Sequence, residues 1–230
     1  MKFKLTDIVK ASNAQFDGDA QLECAGISID SRTIKPGELF VAIAGPHFDG
    51  HDHCAAALDS GALAVMIDKP VALEGAPVLS VDATVDALGD IASWWRSQFD
   101  IPCVAITGSN GKSTTKEMTA SALQELGPVL KTSGNFNNLI GLPLSIFKWN
   151  KTHAAAVLEM GMNEAGEIER LTKIAQPTVG MITNVTAAHL EKLSTVEAVA
   201  KAKGELFATM NPAGTIIVND EDPLVCEIAT

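Results

Sequence analysis

Residues 101–126, IPCVAITGSNGKSTTKEMTASALQEL, constrain the fold more than any other stretch. An apolar run, Val104, Ala105 and Ile106, ends abruptly in Thr107-Gly108-Ser109-Asn110-Gly111-Lys112-Ser113-Thr114, and a helical pattern with Met118, Ala122 and Leu126 on one face follows. That order is strand, glycine loop, helix. Gly108 and Gly111 let the backbone turn tightly and bring its N–H groups close to a polyphosphate, while the helix aims its unpaired N–H groups and positive dipole end at the same point. Lys112 is then placed to reach the β- and γ-phosphates, and the hydroxyl of Ser113 or Thr114 to ligate Mg²⁺. The full Walker spacing would put the first glycine at position 106, which is Ile106 here, so the loop is the shorter GxxGKS.

With 230 residues, 47% of them apolar and 20% charged, the chain has ample material for a folded core. Its net charge of -11 comes without any basic cluster to offset it, which argues against wrapping nucleic acid. A polyanion must therefore be held by local devices. Cys24, Cys54, Cys103 and Cys226 are widely spaced with no CxxC, so neither a zinc site nor a disulfide framework is indicated. The segment MKFKLTDIVKAS has no apolar h-region and no run is long enough to span a membrane, so the expectation is a cytoplasmic, reduced monomer.

Taken in order, Thr6 is placed to cap a helix over 7–12, and 22–29 and 39–43 read as strands. A helix over 52–60 stops at Gly61, and 64–67 is a buried strand. His51, Asp52, His53 and Cys54 do not share a face, so a metal site is rejected in favour of solvated loop histidines. Thr84 opens a helix through Phe99 that carries Trp94 and Trp95 as core residues and leads from an N-terminal domain, 1–82, into a second domain, 83–230.

Beyond the glycine loop the pattern repeats: strand 154–158, helix 166–175, strand 179–185. The fold class is α/β, a small α/β unit followed by a P-loop-type parallel sheet with crossover helices. Ligands of such sheets sit beyond the carboxyl ends of the strands, where the glycine loop, Glu159 and His189 all fall. Glu159 and His189 supply an oxygen and an imidazole suited to a divalent cation. Ser194-Thr195-Val196-Glu197 reads as a capping box opening a stripe of Val196, Val199, Ala200, Lys203, Phe207 and Met210. Lys203 thus lies on an apolar face, and either snorkels or has a task, whereas Lys201 points outward.

With these residues assembled, the chain resembles the Mur ligases, the ATP-dependent amide ligases of peptidoglycan precursor synthesis. The motifs are TGSNGKST (107–114), SGNFNNLIGLP (133–143), LEMGMNEAGEI (158–168), TNVTAAHLEKL (183–193), AKAKGELF (200–207) and NDED (219–222), with DSRTIKPGELFVAIAG and FDGHDH in the first unit. Within the family, GNFNNLIGLP favours the dipeptide-adding member over single-amino-acid ligases, and SRTIKPGELF argues against a folylpolyglutamate synthase. The resemblance implies ATP on Thr107, Gly108, Ser109, Asn110, Gly111, Lys112, Ser113 and Thr114. It also implies two Mg²⁺ ions among Ser113, Glu159, His189 and a carbamylated Lys203. Ser31 and Arg32 would hold the UDP end, and Asn137 and Asn138 would face the substrates. The implied catalytic set is Lys112, Glu159, His189 and Lys203, acting on UDP-N-acetylmuramoyl-tripeptide and D-Ala-D-Ala through an acyl phosphate. The family has a third, C-terminal domain, and this chain stops at Thr230 within the middle one. The expectation is a fragment that does not complete the reaction alone, with a non-catalytic nucleotide-binding module as the rival reading.

Overall fold

The computed structural model describes residues 3–187, 193 and 195–230. Its contacts separate two compact units, one up to Trp94 and one from Trp95 onward.

In the first unit, β1 (Phe3–Lys4), α1 (Leu5–Ser12), β2 (Gln15–Phe16), β3 (Glu23–Cys24), β4 (Gly26–Ser28), β5 (Glu38–Val41), α2 (Cys54–Asp59), β6 (Ala64–Ile67) and β7 (Val78–Ser80) follow one another. A five-stranded sheet runs β2-β7-β6-β5-β4, parallel except for β2 against β7. Phe40, Ala42, Val65 and Ile67 pack with Ile34, Cys54 and Ala57 on one core. The strand expected over 22–29 breaks in two, because Glu23 and Cys24 pair antiparallel with β1 whereas Gly26, Ile27 and Ser28 pair parallel with β5. Nor does Thr6 cap α1; it lies inside the helix and donates its hydroxyl to Ala20 O.

His51 corrects the expectation of a solvated loop residue. Its ring is buried between two carboxylates, Nδ1 at 2.7 Å from Asp49 Oδ1 and Nε2 at 3.1 Å from Asp68 Oδ1. Asp49 also pairs with Lys69, and Asp68 Oδ2 accepts the N–H and hydroxyl of Thr84. The DGH stretch is therefore a packed polar junction, consistent with the rule that buried polar groups are paired.

α3 (Thr84–Arg96) carries the chain across the division between units. Then come β8 (Cys103–Thr107), α4 (Lys112–Leu123), β9 (Val129–Lys131), α5 (Gly141–Ile146), β10 (Ala155–Glu159), α6 (Glu167–Ala175), β11 (Val179–Ile182), α7 (Val196–Thr209), β12 (Thr215–Val218) and α8 (Pro223–Ile228). The sheet order is β12-β11-β8-β10-β9 and every pairing is parallel, as the alternation of strands and helices predicts. β8 and β10 are buried along their whole length, so they read as continuous apolar runs. Pairing of Glu159 with Ile106 and of Ile182 with Thr107 ends three strands at one level. β12 is an edge strand with all four residues exposed.

Two local expectations change here. The stripe Met118, Ala122 and Leu126 is turned outward, with Met118 69% and Leu126 63% exposed; α4 ends before Leu126, and Lys116 and Ala120 are its buried residues. α7 is capped by Thr195, whose hydroxyl accepts from Ala198 N at 3.1 Å, so the cap lies one residue later than a box opened by Ser194. Lys203 is buried and Lys201 exposed, as the stripe predicts. All four cysteines are free, and no helix among the described residues is long and apolar enough to cross a membrane.

Arg96 ties the lower end of this sheet together. Its guanidinium donates to Ala175 O at 3.0 Å, to Gln176 O at 3.3 Å and to Phe99 O, and lies 4.5 Å above the Trp149 ring. Arg96→Met leaves these carbonyls without their donor. The expected loss is about 3 kcal/mol from the second unit, read as a lower urea midpoint by tryptophan fluorescence.

Candidate functional site

The site begins with a missing side chain. Gly108 has φ +146°, and a Cβ there would fall 1.9 Å from Thr183 Oγ1, so only glycine lets the loop after β8 lie against the segment after β11. Hydrogen bonds then join the two. Ser109 N donates to Asn184 O at 2.9 Å, Asn110 N to Asn184 Oδ1 at 3.0 Å, and Thr183 Oγ1 to Asn110 O at 2.7 Å. Ser109 and Thr186 are joined as well. The NDED stretch holds this partner segment from behind: Asn219 Nδ2 donates to Thr183 O, and Asp222 Oδ2 accepts from Val185 N at 2.7 Å.

This arrangement refines the expected phosphate cradle. The N–H groups of Ser109 and Asn110 are spent on Asn184, whereas those of Gly111, Lys112, Ser113 and Thr114 meet no acceptor among the described residues. Four donors at the start of a helix, with the dipole behind them, make an anion site. Gly111, at φ +79°, supplies the left-handed turn that begins α4. Lys112 folds over the loop, its Nζ donating to Gly108 O at 2.7 Å and Ser109 O at 3.2 Å. Burial pushes its ammonium pKa down, and the carboxylate of Glu159 opposes that shift.

Ser113 and Glu159 meet as the strand ends predict. Ser113 Oγ donates to Glu159 Oε2 at 2.8 Å, and Asn137 Nδ2 donates to Oε1 at 2.8 Å. A hydroxyl and a carboxylate side by side are the hard oxygen donors Mg²⁺ takes. No group of three or more His, Cys, Asp or Glu suited to a metal occurs among the described residues, so phosphate and water oxygens would complete such a shell. Asn138 spends its side-chain oxygen on the N–H groups of Ile140 and Gly141 at the start of α5. Thr107 Oγ1, buried at the end of β8, has no partner among the described residues.

Lys203 is 1% exposed, and none of the described residues accepts a hydrogen bond from its ammonium. Burial first, and the positive charge of Lys112 second, bring its pKa down to about 8. Two residues on, Glu205 accepts from Gly166 N at 2.7 Å and Glu169 N at 3.0 Å, docking α7 on the start of α6. His189 lies outside the described residues. In the other unit, Arg32 is exposed and paired with Asp30, whose carboxyl it lowers to about 2, and Ser31 lies beside it. A cleft of about 620 Å³ lined by Arg96, Phe99, Thr178 and Met210 lies at the amino ends of the strands and includes none of the candidate residues.

Sequence reasoning gave no individual role to Asn184, Glu205, Asn219 or Asp222, although all four lie inside the motifs TNVTAAHLEKL, AKAKGELF and NDED; they act through backbone contacts that leave no periodic trace.

Comparison with known proteins follows this geometry closely. The family profile described as the Mur ligase middle domain matches residues 106–230, and that described as the Mur ligase family catalytic domain matches 23–96. The chain is 43% identical over 205 residues to a UDP-N-acetylmuramoyl-tripeptide--D-alanyl-D-alanine ligase of Synechocystis, covering 88% of this chain and 45% of that protein. Its identity to the Escherichia coli protein of the same name is 38% over 219 residues, covering 95% and 47%. A crystal structure of MurF from Acinetobacter baumannii superposes with a TM-score of 0.94 at 35% identity, over 99% of this chain and 51% of that one. The MurF ligase of Thermotoga maritima, solved in complex with ADP, gives 0.83 at 34% identity, over 88% and 47%. The chain spans about half the length of the curated relatives it matches.

Lys203 generates a pH test. The folded chain releases its proton near pH 8 and the unfolded chain near 10.5, so between these values the unfolded state binds more protons and stability rises with pH. Below pH 8 the whole cost is present. Lys203→Met, in CO₂-free buffer, is expected to gain on the order of 3 kcal/mol at pH 7 and to flatten the rise between pH 8 and 10, as measured by chemical denaturation.

Proposed function

Because the chain belongs to the Mur ligase family, we propose that its second unit binds ATP at the glycine loop and its first unit the UDP end of a muramoyl peptide, as parts of a D-Ala-D-Ala-adding ligase. The observation that carries this reading is the meeting of Ser113 and Glu159, 2.8 Å apart, beneath a helix start whose N–H groups meet no acceptor among the described residues. A nucleotide polyphosphate fits those donors, and Lys112 would exchange its loop carbonyls for phosphate oxygens. Mg²⁺, held by Ser113 and Glu159, would supply charge neutralisation at the phosphates when bound.

In the reaction so proposed, the terminal carboxylate of UDP-N-acetylmuramoyl-tripeptide attacks the γ-phosphorus of ATP and ADP leaves. The amine of D-Ala-D-Ala then attacks the acyl carbon, phosphate departs, and the amine proton is lost as the amide forms. This chain contributes positioning and charge: Lys112 against the transferring phosphoryl group, Asn137 fixing Glu159, and Asn138 shaping the loop before α5. His189, outside the described residues, is the further member of the catalytic set that the resemblance implies. The buried amine of Lys203 is suited to carbamylation, in which its neutral nitrogen adds to CO₂ and a proton leaves. The resulting anion would turn the repulsion with Lys112 into attraction and offer oxygens to a second Mg²⁺.

Nucleotide binding is the first test. ADP should bind the 230-residue protein, and Lys112→Ala should weaken it by at least about tenfold in calorimetric titration. Joined to the C-terminal half of the Escherichia coli relative, the chain should release phosphate from ATP only when both the tripeptide nucleotide and D-Ala-D-Ala are present. Binding without such turnover would favour a nucleotide-binding module instead.

A further inference from the structure

Lys116 has no part in the site as described. It lies one turn beyond Lys112 on α4 and is 3% exposed, which rules out snorkelling. A buried ammonium must be paired. Its Nζ donates to Thr132 O at 2.9 Å and stands 3.2 Å from Glu117 Oε1 and 3.9 Å from Glu159 Oε2. Glu117 is half-exposed and shared with Lys131, so its hold on Lys116 is screened by water. Glu159 is as deeply buried as Lys116 itself.

The frame around Glu159 is closed from several sides. Asn137 holds one oxygen, Ser113 the other, and Glu159 N donates to Thr132 Oγ1 at 3.0 Å. Thr132 is thereby used twice, its hydroxyl by Glu159 and its carbonyl by Lys116. One ammonium thus fixes the ends of β9 and β10 against α4 and sets a positive charge beneath a buried carboxylate.

We propose that Lys116 is a positioning residue that holds Glu159 in the orientation in which Glu159 and Ser113 present their oxygens together to the divalent cation of a bound nucleotide. In this role Nζ acts through Glu159. The inference rests on the nucleotide reading above.

The test compares ADP affinity in Mg²⁺ with that in EDTA for the wild-type protein, Lys112→Ala, Lys116→Met and Lys116→Gln. Lys112→Ala weakens binding in both media. The two Lys116 variants are expected to lose about tenfold in Mg²⁺ and less than about twofold in EDTA. Equal losses in both media, or none, would show a merely structural lysine and overturn the proposal. A second arm needs no nucleotide: Lys116→Met should lower the melting temperature, and adding Glu159→Gln should recover at least half of the loss, because a neutral amide needs no counter-charge. Should Lys116→Met fail to fold, the double variant is expected to fold; absence of recovery refutes the coupling to Glu159. Wild-type ADP binding that is unaffected by Lys112→Ala would instead defeat the nucleotide reading, leaving the melting arm to decide on Lys116.

Discussion

The site depends on the space left by the absent side chain of Gly108. Because Thr183 occupies it, the loop after β8 and the segment after β11 share one surface rather than standing apart. Asn184 then takes two of the loop's N–H groups, and the shape of the loop is fixed before any ligand arrives. What is left for an anion is the start of α4. Support passes backward as well, since Asn219 and Asp222 hold the Thr183–Val185 backbone from the turn after β12. A side chain at position 108 would therefore act on three strand ends at once.

Charge is organised locally, against the sign of the whole molecule. The chain carries -11 overall, yet Lys112 and Lys116 gather about Glu159, the one buried carboxylate among the described residues, and Lys203 lies within electrostatic reach of Lys112. Each cation is handled differently. Lys112 rests on loop carbonyls it can leave, Lys116 is locked to a carbonyl and a carboxylate, and Lys203 has no acceptor among the described residues. A basic cluster on an acidic protein favours a ligand small enough to sit within the cluster's own field.

Much of this was legible in the residues. Apolar runs closed by glycine or proline gave the parallel strands, whose carboxyl ends share one edge; the glycine loop and Glu159 meet there because β8 and β10 are neighbours, an order that the structure supplies. Lys203 announced itself by interrupting an apolar stripe. The face of α4 was misread for a physical reason: Met118, Ala122 and Leu126 look like a core stripe, but the helix packs Lys116 and Ala120 inward, spending a lysine where a partner carboxylate waits. That partner lies 43 positions along the chain, since 159 − 116 = 43, and no local period reveals it. His51 was misjudged in the same way, its burial resting on Asp68 from a different strand end. The cap of α7 falls on Thr195 rather than Ser194, although serine is at least as good a capping residue, so cap preference alone does not find it.

β12 has a consequence of its own. Ile216, Ile217 and Val218 all lie in the open on a strand paired on one side only among the described residues. Main-chain groups along such a margin recognise any extended segment, with little regard for sequence, and apolar side chains on both of its faces add adhesion. In the 230 residues taken by themselves, that margin is open to pairing with another extended segment. A lysine introduced at Ile217 would blunt it without touching the glycine loop at the middle of the sheet.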